Sequence, residues 1–98
     1  MSIVGNKVNE ALASAKVKVK TTSTEIVKEN AARSGLEIVN EGANSIYLNL
    51  GKAAVAEEGI FLGASGGSWN GMVGPMVWVG SVFGIAASAE TNVTVAEV

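Results

Sequence analysis

The sequence predicts an all-β protein: a small β-sandwich or barrel, jelly-roll-like or immunoglobulin-like, preceded by an extended or short helical N-terminal arm. Two observations lead to this prediction. Apolar and polar residues alternate with a period of two in several short segments, as in strands that bury one face. Roughly six to eight such segments recur about every ten residues, with turn residues between them. We divide the 98-residue chain into an arm, residues 1–20, and a β-sandwich body, residues 21–98.

The first 15 residues differ in character from the rest of the chain. In NKVNEALASA, the spacing of Val8, Leu12 and Ala15 follows one face of a helix, and Asn6 could cap its N-terminus. An isolated helix of this length is marginal in water unless it packs against something. The segment is therefore predicted to be a short amphipathic helix or a flexible arm that becomes ordered on a partner.

The period changes to two at Lys16. In KVKVKTTSTEIV, Val17 and Val19 alternate with Lys16, Lys18 and Lys20, and the threonine-rich continuation favours a strand over a helix. Lysines on one face of a strand commonly protect a sheet edge from unwanted pairing. The same lysines could instead contact an acidic partner surface, and the sequence leaves both interpretations open.

The middle of the chain contains three further predicted strands. Asn30–Gly35 is predicted to be a turn, and LEIVNEG after it a strand. In IYLNLG, Tyr47 and Asn49 point to one face and the three apolar residues to the other. KAAVAEEG tolerates a helix but is short, and in IFLG the side chain of Phe61 points away from those of its neighbours.

The segment Gly63–Pro75, GASGGSWNGMVGP, is predicted to be largely loop because its glycines raise the ordering cost of regular structure. Two strands, MVWVGSVFGIAAS and NVTVAEV, follow with SAET as a tight connection. Trp78 lies in the first of these strands and is predicted to be a core residue. Trp69 lies in the predicted loop and is a candidate interface anchor, as is Tyr47.

The composition excludes most of the common catalytic mechanisms. The chain has no histidine and no cysteine, which excludes Ser/His and Cys/His nucleophile systems, thiolate metal sites and disulfides. The glycine-rich stretches contain neither GxGxxG opening a helix nor GxxxxGK[ST], so nucleotide binding is not expected. We predict no enzymatic activity, no cofactor and no metal. A small enzyme using Glu57 or Glu58 with Lys52 is a remote alternative, because adjacent carboxylates diverge on any regular element.

The charge is small and unevenly distributed. The formal net charge is −2, and all seven Lys and Arg residues lie within the first 52 positions. A net acidic chain with few, dispersed basic residues does not suit nucleic-acid binding. The N-terminus lacks the pattern of a cleaved signal peptide, and no apolar run is long enough to span a bilayer, so we predict a soluble protein made in the cytoplasm, with no membrane partner.

The order of predicted strands and turns in the second half of the sequence resembles that of the C-terminal β-domain of small virion proteins of tailed bacteriophages. Those proteins commonly read as a "yLglG" strand, a "Gi.L" strand and a closing "G.vyaIa..g.t.vtv.E" pair, and the likeness covers roughly Leu36 to Val98. The matching positions here are Ile46 to Leu48, Gly51, Gly59, Ile60, Leu62, Gly80, Val82, Ile85, Ala86, Thr91, Val93, Val95 and Glu97.

This resemblance implies a capsid decoration, or cement, protein. Such domains typically form trimers on the capsid surface, and an N-terminal arm often reaches over neighbouring major capsid subunits. The expected partners are therefore the major capsid protein and further copies of this chain, and the expected location is the virion surface after synthesis in the host cytoplasm. The expected capsid contacts are the apolar anchors Val8 and Leu12, together with Lys16, Lys18 and Lys20 against acidic capsid loops.

A second hypothesis stays in the virion but changes the function. A tail, baseplate or head-fibre module would bind a host receptor or glycan through Trp69 and the Gly63–Pro75 segment. A glycan array separates this hypothesis from the first, because a cement protein saturates capsids at a fixed stoichiometry and gives no signal on glycans.

Overall fold

The computed structural model describes residues 13–73 and 76–98. These residues form an all-β body without an α-helix, which confirms the predicted fold class at this level. The eight strands of the described residues are β1 Ala13–Val19, β2 Thr24–Val27, β3 Gly35–Asn40, β4 Ile46–Leu50, β5 Ile60–Leu62, β6 Ser68–Val73, β7 Val82–Ala86 and β8 Thr91–Glu97.

The strands form two four-stranded antiparallel sheets. Sheet I has the order β1-β8-β3-β6, and sheet II has the order β2-β7-β4-β5. The first four strands therefore pair with the last four in reverse order: β1 with β8, β2 with β7, β3 with β6 and β4 with β5. The chain is thus a long antiparallel hairpin that turns at β4–β5, with its successive strand pairs distributed alternately between the two sheets.

The core lies between the sheets. Side chains at alternate strand positions point inward from both sheets, so the two inner faces pack against each other as in a sandwich. In β4 the predicted alternation is confirmed, because Ile46 and Leu48 are buried whereas Tyr47 and Asn49 are only partly so. The largest fully buried side chains are Val19, Ile38, Asn40, Ile46, Leu48, Val82 and Val93.

The described part of the predicted arm is a strand of this sandwich. β1 begins at Ala13 and pairs with β8, placing Val17 opposite Val93. The helix predicted from the spacing of Val8, Leu12 and Ala15 is therefore wrong at Ser14 and Ala15, which lie in an extended strand. A short helical pattern is a weak preference, and pairing with β8 along seven positions outweighs it. The rest of the helix prediction falls on residues 1–12, which lie outside the described residues.

The glycine-rich segment is also more regular than expected. Among its described residues, 63–73, the irregular part is the turn at 63–67, where Ser65 and Gly66 have positive φ values of 58° and 126°. The chain then forms β6, which pairs with β3 and places Trp69 opposite Ile38. The prediction of a loop was therefore wrong for residues 68–73, where pairing with β3 offsets the ordering cost of regular structure.

Trp78 is not in a strand, contrary to expectation. The strand of this region begins only at Val82, and the chain before it is irregular. Trp78 is nonetheless half-buried and packs against the core, and its indole N–H donates to the carbonyl of Ser81 over 3.1 Å. The prediction that Trp78 packs in the core is thus partly confirmed, although Trp78 reaches the core from a loop and not from a strand.

Two buried polar side chains hold the two ends of β3. Near its start, Arg33 is 3% exposed and ties the β2–β3 turn to the chain around Trp78 and to Glu97 on β8. At its end, Asn40 is fully buried. Its amide N–H groups donate to the carbonyls of Asn44 and Leu62, and its carbonyl oxygen accepts from the Gly42 amide and the Thr91 hydroxyl. All four hydrogen-bonding positions of this amide are therefore satisfied.

Candidate functional site

The outer face of sheet II carries a row of apolar side chains on three neighbouring strands. Tyr47 on β4 lies opposite Phe61 on β5 and opposite Ile85 on β7. Opposite residues of antiparallel strands share a face, so these three side chains lie side by side on the side away from the core. The rings of Tyr47 and Phe61 have centroids 5.3 Å apart and are tilted by 59°, a favourable arrangement for an aromatic pair.

A second row lies beside the first. Phe83 on β7 is opposite Asn49 on β4 and Glu25 on β2, so it joins the same outer face. Phe61 is 57% exposed, and Tyr47, Phe83 and Ile85 are half-buried. These four side chains, Tyr47, Phe61, Phe83 and Ile85, are called here the apolar face.

The sequence of β7 explains why this face is apolar. In VFGIA, Val82 and Ala86 are buried against the core, and Phe83 and Ile85 occupy the alternate, outward positions. A sandwich strand with one face in water normally places polar residues outward, as β8 does with Asn92 and Thr94. A strand that is apolar on both sides is typical of a sheet covered on both faces.

The outer face of sheet I is polar by contrast. Lys16 and Lys18 project from β1, and their ammonium groups lie 3.5 Å from the carboxylate of Glu41 and 3.9 Å from that of Glu90. All four side chains are well exposed, so each pair contributes little to stability. β1 is an edge strand of its sheet, and its lysines therefore occupy positions at which they discourage pairing with another edge.

Glu41, one of the carboxylates on this face, has a lowered pKa. The Thr94 hydroxyl, which makes no hydrogen bond of standard geometry, is the largest influence and lowers the pKa of Glu41. Desolvation opposes this shift, and the positive charge of Lys16 adds to it. Glu41 therefore stays ionised at lower pH than an ordinary glutamate, which keeps the Lys16 pair intact.

The predicted capsid-contact residues are only partly within the described chain. Lys16 and Lys18 share the outer face of sheet I, and Lys20 follows directly after β1 and is exposed. The structure thus brings two of the three lysines together on one strand face. Val8 and Leu12 lie outside the described residues.

Trp69 does not occupy the exposed loop predicted for it. It lies on β6 opposite the fully buried Ile38, so it points toward the core, and it packs against the core cluster while half-buried. A Cβ at Gly71 would be 3.1 Å from the Trp69 ring, so this glycine makes room for the indole. Of the two predicted interface candidates, Tyr47 lies on an outer face and Trp69 on an inner one.

The residues of the remote enzymatic alternative lie on the connection between β4 and β5. Lys52, Glu57 and Glu58 are all exposed there. Within residues 13–73 and 76–98, no group of three or more acidic, histidine or cysteine side chains is placed to hold a metal ion. None of the described residues belongs to a helix with the length and hydropathy needed to cross a membrane.

No protein-family model matches this chain, and neither a curated protein nor a solved structure shows significant similarity to it.

Three of the four residues of the apolar face were not predicted as interface residues. The alternation in IFL predicts the outward direction of Phe61, but nothing in the sequence says that β5, β4 and β7 are neighbours in this order. The available signal was VFGIA itself, which is apolar at positions that a half-exposed strand fills with polar residues.

Proposed function

We propose that this chain is a non-enzymatic structural protein of a tailed-bacteriophage virion. In this proposal it is a capsid decoration, or cement, protein that binds the outer surface of the major capsid shell as a homotrimer and stabilises the shell. It is synthesised in the host cytoplasm and acts on the virion surface.

The observation that carries the proposal is the arrangement of the strands. Pairing of β1 with β8, β2 with β7, β3 with β6 and β4 with β5, divided between two sheets, fits a jelly roll better than an immunoglobulin-like sandwich. Jelly rolls recur in viral capsid proteins and in lectins. Since a fold alone does not assign a function, the proposal also needs support from particular residues.

The phage-like positions lie mostly where the sandwich itself requires them. The matched residues of β4, β5, β7 and β8 are mostly buried, and matched Gly51 and Gly59 have the positive φ values of 79° and 94° that turns require. Glu97 at the end of the pattern is the partner of buried Arg33. The pattern is therefore one of fold-determining residues, and the surfaces that would contact a capsid are formed by other positions.

The two outer faces suit a protein that must make two kinds of contact. Sheet II presents the apolar face, whereas sheet I presents Lys16 and Lys18 among exposed glutamates. We assign the lysines of β1 and Lys20, with Val8 and Leu12 as apolar anchors, to the capsid contact. Attachment of three linked copies would raise avidity well above that of one weak contact.

Cosedimentation with capsids tests the proposal. The full chain is mixed with capsids of the virus that encodes it, and we expect saturable binding at a fixed stoichiometry, with density at threefold positions by cryo-electron microscopy. The double variant Lys16→Glu/Lys18→Glu should bind at least about tenfold more weakly, because it replaces attraction to an acidic surface by repulsion. The matched control is Lys28→Glu/Lys52→Glu, which reverses two exposed lysines away from β1.

A wild-type chain that leaves capsids bare would overturn the proposal. Equal binding by the β1 variant and its control would reject the lysine contact. Deletion of residues 1–12 tests the assignment of Val8 and Leu12 while retaining all of β1, and circular dichroism checks that the truncated chain remains folded.

The alternative, a tail, baseplate or head-fibre module that binds a receptor or glycan, depended on Trp69 and on the Gly63–Pro75 segment, which keeps an exposed turn at 64–66. It needed Trp69 in an exposed loop, and Trp69 instead points inward opposite Ile38. A signal on a glycan array together with bare capsids would restore it.

A further inference from the structure

Strand β1 is the long, regular edge among the described strands of the two sheets. Each of the other three edges is short or irregular: β5 has three residues, β2 has four and a shift in register, and the pairing of β6 with β3 also shifts. β1 pairs with β8 over seven residues without a shift. A long, regular edge is a template on which another strand can pair.

The backbone of β1 directs a set of hydrogen-bonding groups to the open side of this edge. The Glu41 amide donates to the Asn92 carbonyl, so the even-numbered residues of β8 turn their backbone groups toward β3 and the odd-numbered ones toward β1. The β1 partners of those odd-numbered residues are Ala13, Ala15, Val17 and Val19. The backbone groups of Ser14, Lys16 and Lys18 therefore point away from β8.

The inner side of the β1 edge opens into an apolar cleft between the two sheets. Its volume is about 140 Å³, and it is lined by Ser14, Ala15, Ile26, Val27, Val95 and Glu97. Ala15 lies on the core side of β1 and is nonetheless exposed, whereas Val95 opposite it is buried. An apolar cavity of about 150 Å³ admits benzene, so this cleft has room for one apolar side chain.

The outer side of the same edge selects for negative charge. Directly opposite side chains on neighbouring strands attract each other when their charges are opposite and repel when they are alike. A second copy of β1, added with its apolar residues inward, would place its lysines beside Lys16 and Lys18. An acidic strand would instead be attracted. The present partners of these lysines, Glu41 and Glu90, form exposed pairs that are worth little and so do not prevent the exchange.

We infer that the β1 edge binds an extended segment of a partner protein whose side chains alternate between acidic and apolar. The segment adds a strand to sheet I, and its backbone bonds to the edge-facing groups of Ser14, Lys16 and Lys18. Its acidic side chains lie beside the two lysines, and an apolar side chain enters the cleft next to Ala15. The inference rests on the proposed function only for the source of the segment, which is then the major capsid protein.

Calorimetric titration of the full chain with synthetic peptides tests the site. A peptide of about nine residues, the length of a long strand, that alternates glutamate and valine should bind saturably. A peptide that alternates lysine and valine should bind at least about tenfold more weakly, because it keeps the pattern and reverses the charge. Absence of binding by the glutamate peptide up to about 1 mM would overturn the inference, and so would equal binding of both peptides.

Ser14→Pro tests the added strand separately from the charge. The Ser14 N–H points to the open side, so proline removes a donor from an added strand and none from the β1–β8 ladder. It should weaken binding of the glutamate peptide at least about fivefold, whereas the matched control Ser14→Ala should bind like the wild type. If circular dichroism shows that the proline variant is unfolded, Lys16→Gln/Lys18→Gln replaces it and should weaken the same binding. Wild-type affinity in the folded variants would reject the site.

Two further measurements separate the competing outcomes. Tighter peptide binding after deletion of residues 1–12 would mean that the chain's own N-terminal segment occupies the edge, which contradicts a partner. Capsid cosedimentation distinguishes the inference from the proposed function. A chain that saturates capsids but binds no peptide leaves the function standing and rejects the strand site. A chain that binds the glutamate peptide but ignores capsids supports the site and rejects the function.

Discussion

The guanidinium of Arg33 donates through Nε to the carboxylate of Glu97 at 2.7 Å, joining the β2–β3 turn to the last strand. The Arg33 side chain is completely buried, and that of Glu97 is 25% exposed. The other two guanidinium nitrogens of Arg33 donate to three backbone carbonyls. Nη1 donates to Trp78 at 2.8 Å and to Gly80 at 3.0 Å, and Nη2 donates to Lys28 at 2.6 Å. One side chain therefore connects three separate segments: the β2–β3 connection, residues 78–80 and β8.

Replacement of Arg33 by alanine should strongly destabilise the fold. The variant leaves three carbonyls without their donor and the Glu97 carboxylate with only the Asn30 side-chain amide, at 3.3 Å. Each buried acceptor that loses its partner costs about 1–3 kcal/mol. Since a domain of this size has a free energy of unfolding of only about 5–15 kcal/mol, much of the stability should be lost. Urea unfolding measures the change.

Arg33→Lys is the informative comparison. It keeps the positive charge but lacks the planar fork, so it should recover only part of the loss. Lys52→Ala, at an exposed position, should change the free energy of unfolding by no more than about 0.5 kcal/mol. An Arg33→Ala variant as stable as Lys52→Ala would show that the buried network contributes nothing.

The parts of the fold that the sequence could not predict depend on contacts between residues far apart in the chain. Strands with clean alternation, IYLNL and TNVTVAE, were predicted because their pattern depends only on near neighbours. β6 was missed because the glycines of GASGGSWNGMVGP predict a loop, and its partner β3 lies about 30 residues earlier in the chain. Arg33 and Asn40 could be counted in the sequence but not assigned, since their partners lie up to 64 and 51 residues away.

The candidate site was only partly predictable, because local alternation gives the direction of each side chain but not which strands are neighbours. Period-two alternation gives the outward direction of Tyr47 and Phe61 on their own strands. That these residues are adjacent, and that Ile85 extends their row, depends on the order β7-β4-β5 in sheet II. Strand order arises from the packing of the whole chain, so no local pattern specifies it.

Asn40→Asp should lower the free energy of unfolding far more than its small change in shape indicates. The Asn40 amide donates to the Asn44 and Leu62 carbonyls at 2.8 and 3.3 Å, and a carboxylate would place negative charge against both oxygens. We expect a loss of at least about 2 kcal/mol at pH 7, because buried donors are removed and a charge is left unpaired. Asn92→Asp, on the exposed side of β8, is the matched control and should be nearly neutral.

The penalty of Asn40→Asp should also depend on pH with a defined sign. Two donors, the Gly42 amide and the Thr91 hydroxyl, favour the carboxylate, but full burial and the two facing carbonyls favour the neutral acid more strongly. The introduced carboxyl is therefore expected to have a raised pKa in the folded state. The folded state then holds the proton more tightly than the unfolded state, and the penalty grows as pH rises above the ordinary aspartate pKa of about 3.9. Urea unfolding of variant and wild type at pH 4 and pH 7 measures this difference. A pH-independent penalty would mean that position 40 is accessible to water.

Thr94→Val should raise the pKa of Glu41. The Thr94 hydroxyl is the largest influence that holds this pKa below its usual value, and valine keeps the shape but removes the oxygen. A depressed pKa stabilises the folded state above the unfolded-state pKa, and this contribution is lost as pH falls through the folded-state pKa. Carboxyl NMR titration measures the change directly. Lys16→Gln should raise the pKa less, and a larger effect from Lys16→Gln would contradict this ranking.

Two glycines with left-handed backbones should respond differently to alanine. Gly59 has a φ of 94° and a Cβ there would overlap the carbonyl oxygen of Leu48, whereas Gly66 has a φ of 126° and open space where its Cβ would lie. Gly66→Ala carries only the backbone strain, about 1–3 kcal/mol. Gly59→Ala adds a clash with the backbone of β4, which no rotamer change relieves, so its loss in the free energy of unfolding should be clearly larger. Urea unfolding of the two variants in parallel tests this order. Equal losses would show that the β4–β5 connection shifts to accept the methyl group, in which case Gly59 is needed for its φ angle alone.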